Sequence, residues 1–187
     1  IGEDVNFLSV WGLSADEVFA SGTGGLLYRY DGSSWALHSD LDGPDYTYRI
    51  EGTWAASSDD LYAVGWETIG FTAQVNHYDG TSWQPLPLAV PYSSVLKDVF
   101  GFSADDVVAV GTSGCISRYD GVVWRREQFG SVTFHGVWGS SKDDVFAVGD
   151  LGAIFHFDGS AWKVTSADAP FVVDLHAVWG TSVDDVY

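Results

Sequence analysis

The stretch that decides the fold is Phe134-His135-Gly136-Val137-Trp138-Gly139-Ser140-Ser141-Lys142-Asp143-Asp144-Val145-Phe146-Ala147-Val148-Gly149, followed by Asp150-Leu151-Gly152-Ala153-Ile154-Phe155-His156-Phe157-Asp158-Gly159-Ser160-Ala161-Trp162. The same phrase begins at Phe7, Ile50, Leu96 and Leu175. Its anchor aromatics, Trp11, Trp54, Phe100, Trp138 and Trp179, are spaced by 43, 46, 38 and 41 residues. Each unit reads as four short strands, A to D. Strand A carries Val-Trp-Gly, and strand B is Asp-Val-Phe-Ala-Val-Gly or its equivalent. A tight turn such as Thr112-Ser113-Gly114 leads into strand C, which ends on Tyr30-Asp31-Gly32, Tyr78-Asp79-Gly80, Tyr119-Asp120-Gly121 or Phe157-Asp158-Gly159. Asp-Gly marks a hairpin because its turn needs positive φ. Strand D follows with Trp35, Trp83, Trp124 or Trp162. No 3.6-residue apolar period persists, so helix is excluded as a major element.

One four-stranded sheet cannot bury both of its faces, whereas stacked sheets around an axis can. A period near forty fits that solution. The sequence therefore predicts an all-β chain, a β-propeller of four-stranded blades with four complete repeats and the first part of a fifth. The repeats fall at about 7–47, 48–93, 94–131, 132–172 and a partial 173–187. The last unit stops inside strand B, so the ring is expected to be completed by a longer native chain or by association between copies.

The phrases Ala-Val-Gly-x-x-Gly-x-Ile and Asp-Gly-x-x-Trp resemble Asp-box (BNR-type) propellers and photosystem II assembly-factor-like repeats. The Val-Trp-Gly-x-Ser-x-Asp-Asp-Val opening resembles repeats of secreted and surface proteins of bacteria. The resemblance covers essentially the whole chain and implies a propeller fold with an extracellular or cell-surface location. It implies no activity, because an Asp-box reads Ser-x-Asp-x-Gly-x-Thr-Trp and these turns do not.

Composition narrows the function. The 187 residues carry 26 acidic and 8 basic side chains, a formal charge of −18. No Lys/Arg stripe can track phosphates, which excludes a nucleic-acid role. No apolar run reaches the roughly 18–20 residues of a membrane span. Cys115 is the only cysteine, so no intrachain disulfide is expected; at the start of strand C it reads as a small packing residue.

The most tempting chemistry is an acidic pair in every A–B loop: Asp16-Glu17, Asp59-Asp60, Asp105-Asp106, Asp143-Asp144 and Asp184-Asp185. Paired carboxylates can hold a cation or act as acid and base. Five repetitions, each behind a Ser at a fixed offset, instead indicate turn chemistry. A basic column in strand C, Arg29, His77, Arg118 and His156, is expected to pair with these acids, with His156 placed opposite Val145. No nucleophile–base arrangement and no metal or cofactor site is evident.

Function is sought where the repeat is broken. Trp66 has no counterpart, and the B–C connection of the second unit, Trp66-Glu67-Thr68-Ile69-Gly70-Phe71-Thr72-Ala73, is five residues longer than the others. With the D–A aromatics it predicts a variable rim of Trp66, Glu67, Phe71, Tyr46, Tyr48 and Tyr92 that binds a protein or carbohydrate partner. A second candidate is the variable column of strand A, Leu8, Glu51, Lys97, His135 and His176, as the wall of a central channel. The expected function is a non-enzymatic extracellular binding or structural module. The alternative is a carbohydrate-active enzyme or a single-site lectin, for which Glu51 and Glu67 are the unrepeated acids.

Overall fold

Alternating apolar residues with Gly-rich punctuation dictate short strands, and in the computed structural model the described residues form β-sheets apart from one 3-10-type turn, at Asp150–Gly152. It describes residues 5–41, 47–88, 94–165 and 173–187. The strands are β1 (Phe7–Ser14), β2 (Glu17–Gly22), β3 (Leu26–Tyr30), β4 (Trp35–Asp40), β5 (Tyr48–Ser57), β6 (Asp60–Glu67), β7 (Thr72–Tyr78) and β8 (Trp83–Leu86). They continue as β9 (Leu96–Ser103), β10 (Asp106–Gly111), β11 (Cys115–Tyr119), β12 (Trp124–Gln128), β13 (Phe134–Ser141), β14 (Asp144–Gly149), β15 (Ile154–Phe157), β16 (Trp162–Val164), β17 (Gly180–Ser182) and β18 (Asp185–Val186). Consecutive strands pair antiparallel into four four-stranded sheets and a final two-stranded one. The chain divides into two units, Ile1–Leu96 and Lys97–Tyr187.

In the first unit the two sheets bury Phe19, Leu27, Ala55 and Leu61 between them, flanked by Trp11, Leu13, Tyr78 and Trp83. Polar links cross the same seam. The Trp11 indole donates to the Ala55 carbonyl at 3.2 Å. The Thr53 amide donates to Ser9 Oγ at 3.0 Å, and Trp83 Nε1 to Ser39 Oγ at 2.9 Å. The second unit repeats the device with other residues. Val108, Val110, Ile116, Phe134, Val137, Val145, Ala147 and Phe155 form its core. Here the Val137 amide donates to Asp98 Oδ2 at 2.9 Å, as Thr53 does to Ser9. The anchor aromatics meet at the same distance in both units, Trp11–Trp54 and Phe100–Trp138 each at 6.4 Å.

The glycine that ends strand B has a steric cause. Strand A carries a bulge between Ile50 and Gly52 in β5, and between Phe134 and Gly136 in β13. The bulge drives a carbonyl against strand B, so a Cβ on Gly65 or Gly149 would lie about 2 Å from Arg49 O or Thr133 O. The Asp-Gly turn between strands C and D is also specific. Its glycines sit at φ 84–89°, while Asp31, Asp79, Asp120 and Asp158 cap the amides two and three residues on. The result is a four-residue Asp-capped loop, in which only the glycine takes positive φ.

The acid–base pairs form, in a different register from that expected. His156 opposes Phe146, not Val145, and reaches diagonally to Asp144 at 2.6 Å. Arg118 opposes Val108 and forks onto Asp106 with two bonds of 2.8 Å. Arg29–Glu17 at 2.5 Å and His77–Asp60 at 2.8 Å complete the series. The second acid of each pair is always the partner, because its side chain shares a face with strand C. Its neighbours Asp16, Asp59, Asp105 and Asp143 lie instead over the glycines of the Asp-Gly turns. Partly exposed pairs of this kind stabilise by about 0.2–1 kcal/mol each.

Candidate functional site

The long B–C connection of the second sheet is not a loose loop. The added residues lengthen the hairpin, with Gly65↔Gln74, Trp66↔Ala73 and Glu67↔Thr72 continuing the ladder. Strand A follows it, through Tyr48↔Glu67 and Arg49↔Trp66. Trp66 thus belongs to a strand of a three-stranded extension, and only 68–71 turn. Its indole N–H donates to Glu51 Oε1 at 2.8 Å, and Arg49 Nε lies 3.4 Å from the same oxygen. The Arg49 guanidinium carbon stands 5.7 Å from the Trp66 ring centroid, a cation–π contact. Phe71 stacks on Trp66 at 5.2 Å and 13°. Gln74 Nε2 donates to Glu67 Oε1.

Two of the expected rim residues, Trp66 and Phe71, are therefore brought together, and Glu51 from the strand A column joins them, while Glu67, next along the strand, turns instead to Gln74. Tyr48 does not join. It is 3% exposed, and its hydroxyl turns inward to the Ala63 carbonyl. The expectation of a surface Tyr48 is corrected: extending β5 carries this residue onto the core face beside Ile50. Tyr46 and Tyr92 lie outside the described residues.

The strand A column has a structural identity that spacing could not show. Leu8, Glu51 and His135 are the residues skipped by the ladder, the bulged positions of β1, β5 and β13. A bulge re-aims its side chain, which is why this column varies while its neighbours repeat. In the second unit His135 Nε2 pairs with Asp150 at 2.7 Å, and its ring centroid is 5.1 Å from that of His176. The hydrogen bond from His135 holds the Asp150 carboxyl below the ordinary range. Lys97 is half-buried and His176 exposed. Among the described residues no three His, Cys, Asp or Glu side chains converge on one point. Cys115 is buried, with Sγ 3.6 Å from Ser117 Oγ.

A feature that sequence reasoning missed is backbone strain. Among the described residues the non-glycine positions with positive φ are Phe71 (53°), Ser113 (59°) and Leu151 (58°). All three sit in B–C turns. In the shorter turns the neighbouring Gly114 and Gly152 are also left-handed, and the next amide, of Cys115 or Ala153, bonds back to Thr112 O or Asp150 O, closing a turn with two left-handed central residues. A left-handed Leu costs roughly 1–2 kcal/mol, and Gly24-Gly25 at the equivalent turn of the first sheet avoids that cost. Phe71 is 55% exposed and Leu151 is 73% exposed. Neither side chain enters the core: Leu151 stands in solvent, and Phe71 rests one face on Trp66. A Leu or Phe next to a Gly at a turn tip was a readable signal.

The first sheet leaves its outer face open, an apolar depression of about 550 Å3 lined by Phe7, Leu8, Val10, Tyr28 and Trp35. Position by position this is the face that Thr53, Ala63 and Trp83 bury in the second sheet.

No protein-family model and no curated protein matches the sequence. Solved structures do. The chain is similar to YCF48 bound to D1 peptide (TM-score 0.68, 16% identity, 97% of this chain on 59% of that one). It is also similar to YCF48 from Cyanidioschyzon merolae (0.68, 15%, 96% on 61%) and to the WD40 β-propeller domain of Doa1 (0.73, 11%, 100% on 62%). The fold is a β-propeller. At these identities the likeness reports the fold, and the present 187 residues span about three-fifths of each of those chains. The four-stranded sheets are blades. Among the described residues no helix is long and apolar enough to cross a membrane.

Proposed function

We propose that this propeller is a non-enzymatic protein-binding module that meets its partner through individual B–C turns of its blades. One observation carries the reading: Phe71 and Leu151 hold exposed apolar side chains in a backbone conformation that favours glycine. Strain retained at an exposed tip, with no core burial at Leu151 and only the Trp66 ring beneath Phe71, marks residues whose side chains serve something outside the chain. The Trp66–Arg49–Glu51 cluster behind Phe71 gives that tip a rigid aromatic and cationic backing, the composition of a protein hot spot. The structure of YCF48 with a D1 peptide supports a peptide-holding role for a propeller of similar shape. Glu51 and Glu67, the acids a carbohydrate-active enzyme would use, accept N–H bonds from Trp66 and Gln74 instead. The strand A openings that resemble repeats of secreted proteins support an extracellular or cell-surface location.

The test is site-directed photo-crosslinking. A photoreactive phenylalanine analogue at position 71 or 151 should trap a specific protein in an extract of the source cells. The same analogue at Val122, an 81% exposed residue in a C–D turn, should not. Equal trapping at all three positions would overturn the assignment of the surface. Retention of the tagged native protein, expressed from its own complete reading frame, inside the cell would overturn the location.

A further inference from the structure

The seam between the first and second blades and that between the third and fourth differ at an outer corner. Between the third and fourth blades, Phe155 fills that corner against Phe129 and Phe134, at 5.3 and 5.1 Å. Between the first and second blades the Phe129 position is Leu41, which makes the same backbone bond, to Gly25 O as Phe129 does to Gly114 O. The Phe155 position is Asn76, and Ala153 and Val164 become Gln74 and Pro85. The corner opens into a groove of about 480 Å3 lined by Leu41, Gln74, Asn76, Trp83 and Pro85, with Glu67 at its end. Asn76 is only 9% exposed, and among the described residues its side-chain amide has no hydrogen-bond partner. The amide lines the groove, where an incoming polar group can bond it. Among the described residues Glu67 is the only charged one in the lining. Gln74 engages one of its oxygens and the other makes no bond.

We infer that this groove receives an arginine side chain from an extended segment of a partner protein. The inference rests on the protein-binding reading above. A guanidinium is planar, carries five donors and stacks on flat apolar surfaces. It can bridge the free oxygen of Glu67 and the carbonyl of Asn76 while its stem lies along Leu41, Trp83 and Pro85. A chain of net charge −18 attracts that cation from a distance.

The probe is N-acetyl-Leu-Arg-Leu-amide, titrated into the 187-residue chain and followed by 15N NMR. The Asn76 side-chain amide and the Trp83 indole N–H should shift saturably. The citrulline peptide, neutral and of the same shape, should bind at least about 10-fold more weakly, as loss of a charge-assisted pair requires. Asn76→Phe, which copies the filled corner of the other seam, should abolish the shifts, and Glu67→Gln should weaken binding about 5–10-fold. Unmoved resonances, equal binding of the citrulline peptide, or full binding to Asn76→Phe would each overturn the inference. Phe71→Ser and Leu151→Ser leave the groove intact. Loss of partner trapping in those variants with tripeptide binding retained is the expected pattern. Tripeptide binding without any partner trapping at positions 71 and 151 would sink the functional reading alone.

Discussion

Comparing Leu151→Gly with Leu151→Ala isolates the strain on which the functional argument stands. Both variants delete the same side chain, which is largely exposed, so its lost burial cancels between them. What differs is the backbone. Alanine at φ 58° keeps the roughly 1–2 kcal/mol left-handed penalty. Glycine removes it, but loses about 0.5–1 kcal/mol more than alanine in chain entropy on folding. The net is about 0.5–1 kcal/mol in favour of glycine, or about 1–4 °C in melting temperature for a chain of this size. At an ordinary exposed strand position such as Val164 the order reverses, and alanine is the more stable by about 0.5–1 kcal/mol. Urea denaturation of the four variants, followed by tryptophan fluorescence, reads both differences. A Leu151→Ala protein as stable as Leu151→Gly would mean that the turn is not strained, and the argument from stored strain would fail.

Other outcomes follow from the seams and turns. Asp98 retains some exposed surface, but burial of its carboxyl pushes its pKa up to about 7 against the amides of Val137 and Val99, which act in the opposite direction. A folded-state pKa above the unfolded 3.8 stabilises at low pH, and that contribution is lost as pH rises from about 4 through 7. Asp98→Asn should therefore flatten the pH dependence of stability over that window, by about 2–4 kcal/mol at its upper end; parallel curves for the two proteins would refute the burial. Phe134→Ala deletes a fully buried ring of the second unit and should destabilise by about 3–5 kcal/mol in urea melts, against less than about 0.5 for Val122→Ala at the surface. Asp79, held at about 2 first by the Thr81 hydroxyl and then by the Ser82 and Thr81 amides, contributes stability above the unfolded value that is lost as pH falls through 2. Its carboxyl carbon should titrate there by NMR, and a midpoint near 3.8 would show that the turn cap does not form.

The repeat made the architecture legible because each phrase answers a local steric demand. Asp-Gly builds a capped turn, and the glycine after Ala-Val clears the carbonyl of the strand A bulge. A sequence repeats whatever the backbone repeats, so strands, turns and inter-blade aromatics could all be read from it. The failures arose where the third dimension intervenes. A one-residue bulge is invisible to spacing, and it gave the Leu8–Glu51–His135 column its identity; the register of His156 is set instead by the B–C turn, where Gly149 pairs with Ala153. The insertion around Trp66 looked like a loop, because five extra residues read alike whether they pair or not. Tyr48 read as a rim residue for the same reason: only the lengthened ladder shows that it turns inward. Asn76 could have been found by comparing its column, Tyr28, Asn76, Ser117 and Phe155, where one amide replaces a core aromatic. What such an amide binds is not written in its own blade.

The assignment of the B–C turns as the binding surface is tested most directly by affinity. The protein trapped at positions 71 and 151 is purified and titrated calorimetrically against the native chain, the Phe71→Ser/Leu151→Ser double variant and Val122→Ser. The account predicts a loss of at least about 10-fold for the double variant, since two exposed apolar anchors each contribute of the order of 1 kcal/mol or more, and no change for Val122→Ser. Native affinity in a folded double variant would contradict it.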